Sequence, residues 1–378
     1  MGDALEELEA YAGEAKLYLK PVGLVDSPQW HEDKNTRLNN SLIWFSQIEY
    51  LIIANGRPNL RGLVNITQWP EWSNALPEPL ARRAATLFTH LTRQHEPLTC
   101  GERIIRFDQP HVMGILNITP DSFSDGGKHQ DDPDKAAEAG LAMAAAGASI
   151  LDIGGESTRP GADPVWEGDE IKRVQPVIER LAHCGAVLSI DTRKAAVMEA
   201  AIAAGAHLIN DVSALLHDKR SLEVAGISGV PVVLMHAPSS GRDPHKSEGY
   251  GNIVTDTLDW LEQRIADVVA AGFEREKIII DPGLGFGKTL TDNLALMNNI
   301  AMFHTLGQPL LIGASRKRMI GALSKEAPVD KRLGGSIAFA HHAIQQGGQI
   351  VRVHDVPETV QALQIWRGMR DAGLTAAL

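Results

Sequence analysis

The chain has 378 residues, 44% of them hydrophobic, so it can bury a sizeable core and is long enough for one large domain with an additional segment. Its formal net charge of −11 argues against a general nucleic-acid or anionic-membrane surface, because both reward broad positive charge. Cys100 and Cys184 have neither zinc-site spacing nor a disulfide framework, and no stretch looks like a signal peptide or a membrane span. We therefore expect a cytoplasmic protein that binds neither nucleic acid nor membrane.

The first 96 residues differ in composition from the rest and hold four of the seven tryptophans. Residues 41–54 contain an apolar run that ends at the turn signal Asn55-Gly56. Residues 77–94 open with proline and repeat apolar residues at helical spacing, which predicts an amphipathic helix. We expect residues 1–96 to form a small folded α/β module that packs on the rest of the chain or makes subunit contacts, and residues 97–378 to form the main domain.

Eight short apolar runs recur at nearly even spacing from residue 111 onward, and a polar or charged residue ends each of them. Helical spacing appears between the runs, as in residues 135–146 and 256–271. Buried parallel strands are short β-branched runs joined by helical crossovers, so the pattern predicts a (β/α)8 TIM barrel of the α/β class, with residues 98–107 as a hairpin closing its bottom. The active site of such a barrel lies at the carboxyl ends of the strands. The residues that end the runs are Asn117, Asp152, Asp191, Asn210, His236, Asp281, Ser315 and His354.

Three of these strand-end residues, Asp191, Asn210 and Asp281, suit a ligand with adjacent N–H groups. An ionised carboxylate only accepts hydrogen bonds, and the edge of a 2-amino-pyrimidinone ring presents several donors together. Helix capping explains any one of the three, but it explains three around one barrel mouth less well.

Three loops after the strands are rich in glycine. Residues 117–127 and 154–161 have the composition of loops that close over a ligand, whereas the alternative is a pair of solvated turns. Two such loops after adjacent strands favour function. Residues 281–289 fail the phosphate-binding Walker pattern, since Pro282 stands where a glycine is required, and they present Phe286 for packing on a ring.

Positive charge is placed locally at two strand ends. Residues 316–318 are three consecutive cations at a predicted helix start, where positive charge is unfavourable, and this suggests function rather than a solvated basic turn. Lys317 can reach inward while Ser315 and the helix N-terminus hold an anion. Arg352 and His354 share one face of the last strand, which suits a phosphate clamp or a proton donor.

With these residues laid out, the chain from about residue 98 resembles the dihydropteroate synthases, the pterin-binding barrel family of folate biosynthesis. It departs from the family pattern after His236, where Ala-Pro-Ser-Ser replaces the usual Met-Gln-Gly, and residues 1–96 lie outside the resemblance. The motifs that carry the resemblance are MGILNITPDSFSDGG at 113–127, ESTRPG at 156–161, DPG at 281–283, SRK at 315–317 and RVHD at 352–355.

The resemblance implies a transferase that joins 6-hydroxymethyl-7,8-dihydropterin diphosphate to 4-aminobenzoate, releases pyrophosphate and is the target of sulfonamides. It also implies Mg²⁺ as cofactor, with Asn117 as its ligand, and a homodimer. Catalytic roles are implied for Asn117, Asp191, Lys317, Arg352 and His354. The implied pterin ligands are Asp191, Asn210, Asp281 and Lys317, the diphosphate ligands Asn117, Arg352 and His354, and the aminobenzoate ligands Thr158, Arg159, Pro160, Phe286 and Ser315.

Two other functions are compatible with a pterin-binding barrel. A methyltetrahydrofolate-dependent corrinoid methyltransferase shares the pterin-edge acids but has no need of a diphosphate clamp. A non-catalytic relative could lose loop residues at little cost, yet Asn117, Thr158, Arg159, Lys317 and Arg352 are all present. Both alternatives therefore explain the sequence less completely than the synthase.

Overall fold

The computed structural model describes residues 14–26, 34–54, 57–118, 132–157, 162–238, 245 and 249–375. In the N-terminal segment, strands β1, β4 and β5 form an antiparallel sheet in the order β1-β4-β5, and β2 pairs with β3. Every second residue of β4 is buried, as a half-buried strand requires. Helix α2 is the amphipathic helix predicted from residues 77–94. The elements are β1 (Lys16–Val22), β2 (Thr36–Arg37), β3 (Trp44–Phe45), β4 (Gln47–Ala54), β5 (Arg57–Asn65), a 3-10 turn (Ile66–Gln68), α1 (Trp69–Asn74) and α2 (Glu78–Thr92).

A hairpin of β6 (Leu98–Cys100) and β7 (Arg103–Ile105) leads into eight parallel strands. The eight strands are neighbours in the order β13-β12-β11-β10-β9-β8-β15-β14, and a parallel bridge between Ile280 and Leu310 joins the two ends. The fold is the predicted (β/α)8 barrel. Its strands are β8 (His111–Asn117), β9 (Ile150–Gly154), β10 (Val187–Asp191), β11 (Leu208–Asp211), β12 (Val232–Met235), β13 (Ile278–Asp281), β14 (Leu311–Ile312) and β15 (Ile350–Val353).

Helices connect the strands, and local signals fix where they begin. Helix α8 has a capping box, in which Thr289 and Asp292 exchange hydrogen bonds at its first turn. No helix within the described ranges is both long and apolar enough to cross a membrane. The helices are α3 (Pro133–Ala145), α4 (Glu167–Leu181), α5 (Ala195–Ala203), α6 (Ser221–Ser228), α7 (Ile253–Ala270), α8 (Leu290–Asn298), α9 (Arg318–Leu323), α10 (Leu333–Gln345) and α11 (Val356–Thr375), with 3-10 turns at Arg275–Lys277, Ile300–Leu306 and Val329–Lys331.

The bottom of the barrel is closed by the hairpin, as its sequence predicted. The hairpin's apolar side chains and one inward residue from each strand form a single buried cluster. This cluster is the lowest layer of the barrel interior, so everything polar inside the barrel must lie nearer the carboxyl ends of the strands. Its members are Leu98, Cys100, Ile105, Phe107, Met113, Ile150, Val187, Leu208, Val233, Ile279, Leu311 and Ile350.

The N-terminal segment packs on the outside of the barrel, and its core is continuous with the barrel core. The Tyr18 hydroxyl donates to Asp259 on α7 at 2.9 Å. Lys16 and Arg83 both pair with Glu262 on the same helix, at 2.8 and 3.0 Å. These contacts fix the segment against α7 on the outer wall of the barrel.

Candidate active site

The barrel interior is built in layers two residues apart, because side chains alternate between the two faces of a strand. Two residues above the apolar layer come Asp152, Ser189, Asn210, Asp281 and Arg352. Two residues further stand Asn117, Gly154, Asp191, Ser315 and His354, although Gly154 contributes no side chain. Strand parity alone therefore brings these polar side chains to one mouth.

A buried network centres on Asp152, whose side chain is 0% exposed. Its carboxylate accepts hydrogen bonds from the Ser189 hydroxyl at 2.6 Å, from Asn210 Nδ2 at 2.9 Å and from Arg352 Nε at 2.5 Å. Arg352 Nη2 donates to Asp191 Oδ2 at 2.7 Å, so one guanidinium bridges two carboxylates. Asp191 Oδ1 has no hydrogen-bond partner among the described residues.

The charged groups in this network shift one another's pKa values. Burial raises the pKa of Asp191 to about 7, although Arg352 opposes the rise. Burial alone would lower the pKa of Arg352, but Asp152 and Asp191 outweigh it and raise the value. The guanidinium therefore stays charged, while Asp191 can change protonation near neutral pH.

A second group lies at the ends of β13 and β14, next to Arg352 on β15. Lys317 Nζ donates to the Leu284 carbonyl and lies 4.9 Å from the centre of the Phe286 ring. A Cβ placed on Gly313 would be 3.9 Å from Asp281 Oδ2 and 4.0 Å from Lys317 Nζ, so these two charges border the same space. Burial lowers the pKa of Lys317 to about 8, opposed by Asp281. Burial also raises the pKa of Asp281, opposed by Lys317.

Ser315 and His354 stand together at the ends of neighbouring strands. The Ser315 hydroxyl lies 3.0 Å from His354 Nδ1 and accepts from the His354 main-chain N–H at 3.2 Å. Arg316 turns outward instead, with a φ of 56° and a bidentate pair to Asp355. Lys317 therefore faces the site, whereas Arg316 is held by its ion pair with Asp355 after β15.

The loop after β12 contributes an aromatic contact that its unusual sequence did not reveal. The His245 ring stacks on Phe286, with ring centres 5.0 Å apart and planes 12° apart. Phe286 thus has an imidazole and an ammonium as neighbours. Three residues predicted to bind aminobenzoate lie outside the described residues: Thr158, Arg159 and Pro160.

Sequence reasoning assigned no role to two buried groups. Asp152 carries the same strand-end signal as Asp191, but nothing in the sequence shows that it joins Ser189, Asn210 and Arg352. The base of the loop after β9 is fixed by Glu156, which pairs with Arg193 at 2.6 Å and with Lys194. These pairings join distant parts of the chain, so no local pattern reports them.

Comparison with known proteins agrees with this geometry. Residues 113–354 match the model of a family described as "Pterin binding enzyme". The dihydropteroate synthase of Escherichia coli (strain K12) is 46% identical over 257 residues, covering 68% of this chain and 90% of the relative. The chain belongs to the dihydropteroate synthase family. It is accordingly a pterin-binding transferase.

Solved structures of dihydropteroate synthases share the barrel. The Xanthomonas albilineans enzyme with 4-aminobenzoic acid has a TM-score of 0.69 and 45% identity, covering 73% of this chain and 99% of that one. The Yersinia pestis enzyme in a sulfonamide drug complex has a TM-score of 0.68 and 45% identity, and the match covers 73% of this chain and 100% of that one. In both cases the shared region corresponds in extent to the barrel.

Proposed function

We propose that the chain condenses 6-hydroxymethyl-7,8-dihydropterin diphosphate with 4-aminobenzoate, giving 7,8-dihydropteroate and pyrophosphate. The observation that carries this proposal is the buried mouth of the barrel, where Asp191, Asn210 and Asp281 lie together with the cations Arg352 and Lys317. Membership of the dihydropteroate synthase family supports it. The assignment of individual residues follows from their positions around this mouth.

We assign the pterin edge to Asp191, Asn210 and Asp281, with Lys317 beside the ring carbonyl. Asp191 Oδ1 is a buried acceptor that lacks a partner among the described residues, as an N–H-rich ring edge requires. The ammonium of Lys317 supplies the complementary donor across the space beside Gly313. A pterin presents both kinds of group on one edge, so the arrangement fits it.

We assign the diphosphate to Asn117, Arg352 and His354. Arg352 uses Nε and one N–H of Nη2 on carboxylates, so Nη1 and the second N–H of Nη2 are the donors left for a phosphate oxygen. If the Ser315 hydroxyl donates to His354 Nδ1, the imidazole carries its proton on Nε2 and can donate there. We also assign Ser315 to the aminobenzoate carboxylate; its hydroxyl has a single proton, so donating to that carboxylate would replace the donation to His354 Nδ1.

Mg²⁺ fits this part of the site as an ion shared with substrate. Among the described residues, no cluster of three or more His, Cys, Asp or Glu could hold a metal alone. Mg²⁺ commonly binds through substrate phosphates, waters and one or two protein oxygens, and the half-buried amide of Asn117 offers one. When bound, the ion supplies charge neutralisation at the diphosphate.

The reaction needs charge stabilisation more than acid–base chemistry. The methylene carbon loses its bond to the diphosphate oxygen, which keeps the electron pair, and the pterin delocalises the resulting positive charge. Arg352 and His354 neutralise the departing oxygens, while Asp191 offers negative charge to the ring. The aniline nitrogen then forms the new C–N bond and loses a proton to solvent. Phe286 and Pro160 are assigned to its ring, and Thr158 and Arg159 to the closing loop.

We also propose a cytoplasmic homodimer that binds neither nucleic acid nor membrane. Cys100 and Cys184 are both free thiols, as in a reducing compartment. On α11, Ile365 and Met369 are 61% and 64% exposed and one turn apart, which suits a subunit contact. Light scattering should give twice the chain mass, and Ile365→Glu should lower it. A monomeric wild-type chain would contradict the dimer.

The decisive assay measures pyrophosphate release from purified protein with the pterin diphosphate, Mg²⁺ and 4-aminobenzoate. We expect release that requires aminobenzoate and fails in Lys317→Ala. Bound pterin without release would favour a non-catalytic relative. Methyl transfer from a methylated folate to a corrinoid would favour the methyltransferase.

A further inference from the structure

Lys288 lies between the Gly-rich loop after β13 and helix α8, and it has no assigned role. Its ammonium donates to three main-chain carbonyls: Gly283 at 2.8 Å, Phe286 at 3.1 Å and His236 at 3.3 Å. His236 directly follows β12, whereas the other two carbonyls belong to the loop after β13. One half-buried side chain therefore ties together the ends of two neighbouring strands.

The loop has a backbone that needs such a donor. Gly283, Gly285 and Gly287 have φ values of 69°, 80° and 56°, in the left-handed region. A Cβ on Gly283 would lie 1.9 Å from the His236 carbonyl oxygen, so the two loops touch through their main chains. Carbonyl oxygens turned inward at such a contact lose water and must find another donor. Lys288 supplies it.

This loop in turn holds groups of the proposed site. The Leu284 carbonyl accepts from Lys317 Nζ, and the Phe286 ring lies under the same ammonium. Leu284 lies between Gly283 and Phe286, whose carbonyls both accept hydrogen bonds from Lys288. A change in these peptide planes would move both the Lys317 ammonium and the Phe286 ring.

A charged lysine is energetically unfavourable at this position, because burial removes water from its ammonium. Burial lowers the pKa of Lys288 to about 7; Asp281 opposes this and Lys317 adds to it. Among the described carboxylates none lies within ion-pair distance of Lys288. A second ammonium near Lys317 is electrostatically unfavourable, so a purely structural position would be better filled by a neutral donor.

We propose that Lys288 is a positioning residue for the condensation: its three carbonyl contacts set the loop that places Lys317 and Phe286 against the substrates. The proposal rests on the proposed function, because it takes from it the roles of Lys317 and Phe286. In this proposal the Lys288 ammonium acts through the three carbonyls rather than on a substrate. Its effect should therefore appear in substrate affinity and alignment rather than in the chemistry of a single proton.

The test compares Lys288→Met and Lys288→Arg with the matched control Lys277→Met, whose ammonium pairs with the exposed Glu274. Steady-state kinetics should give a KM for each substrate raised about tenfold or more in Lys288→Met, since small misplacements of binding groups have large effects. Lys288→Arg keeps donors for the carbonyls and should recover most of the loss. Lys277→Met should match wild type. Circular dichroism melts confirm that each variant is folded at the assay temperature.

Several outcomes would overturn the proposal. A folded Lys288→Met with wild-type KM values would do so, as would a lower melting temperature with unchanged kinetics. If Lys288→Met does not fold, Lys288→Gln takes its place: two donors on a shorter side chain cannot serve all three carbonyls, so both KM values should still rise, and unchanged values would overturn the proposal. Titration with a fluorescent oxidised pterin separates the two hypotheses. If wild type binds pterin but releases no pyrophosphate, the proposed function fails. In that case weaker pterin binding by the Lys288 variant than by wild type would still support the positioning role, and equal binding would overturn it.

Discussion

Replacing Asp152 with asparagine removes the charge at the centre of the buried network. The carboxylate receives three hydrogen bonds, and the one from Arg352 Nε joins two full charges at 2.5 Å. Removing one partner of a buried ion pair costs about 3–5 kcal/mol. Arg352 keeps Asp191 as a partner, its side chain is 21% exposed, and the new amide keeps one acceptor. We therefore expect a loss of about 3 kcal/mol in the free energy of unfolding, at the lower end of that range.

Two measurements check this expectation. The melting temperature of Asp152→Asn should fall by roughly 5 °C for a chain of this size. The kcat/KM for the pterin diphosphate should fall about 100-fold, because Arg352 loses the contact that aims its guanidinium. The control is Asp134→Asn, since Asp134 is 72% exposed and pairs with Arg180 at 2.5 Å on the surface. That pair should contribute less than about 1 kcal/mol.

The refuting result is an Asp152→Asn variant that melts and turns over like wild type. It would mean that the carboxylate neither anchors Arg352 nor organises the mouth. A variant with normal stability but lost activity would be informative in a different way. It would show that Asp152 contributes to activity without contributing measurably to the free energy of unfolding.

Three further predictions concern the pH dependence of activity, the Mg²⁺ dependence and the docking of the N-terminal segment. Burial raises the pKa of Asp191 to about 7 and lowers that of Lys317 to about 8, so kcat/KM should rise as Asp191 ionises and fall as Lys317 loses its proton. Lys317→Arg should remove the fall at alkaline pH, and a variant that keeps this fall would contradict the assignment. Asn117→Ala should raise the Mg²⁺ concentration for half-maximal activity about tenfold, and an unchanged Mg²⁺ dependence would exclude Asn117 as a ligand. Glu262→Gln should weaken docking of the N-terminal segment and cost about 1 kcal/mol in urea unfolding at neutral pH. Burial acts to raise the pKa of Glu262, but Arg83 and Lys16 outweigh it and lower the value, so this difference should vanish as pH falls through the lowered pKa; an equal gap in acid would contradict it.

The barrel could be predicted from the sequence because its signal is periodic and local. Each strand is a short apolar run with a polar end, and each run recurs after a helical segment. The predicted strand at 187–190 and the observed Val187–Asp191 differ by one residue. The hairpin at 98–107 was predictable for the same reason, since its alternation and turn are adjacent in the chain. The docking of Lys16 and Arg83 on α7 joins residues far apart in sequence, and no periodicity encodes it.

The site was predictable only to the level of which residues face the mouth. Strand parity places Asp191, Asn210 and Asp281 inside the barrel, but it does not say which charges meet. Arg352 was predicted as a phosphate ligand, and the structure shows its guanidinium held between Asp152 and Asp191. Burial gives the physical reason for this pairing, because a cation between two carboxylates in one low-dielectric space lowers their repulsion. In the proposed assignment, Arg352 neutralises Asp191 at the pterin edge and also binds the diphosphate, so binding at one subsite should depend on the charge at the other.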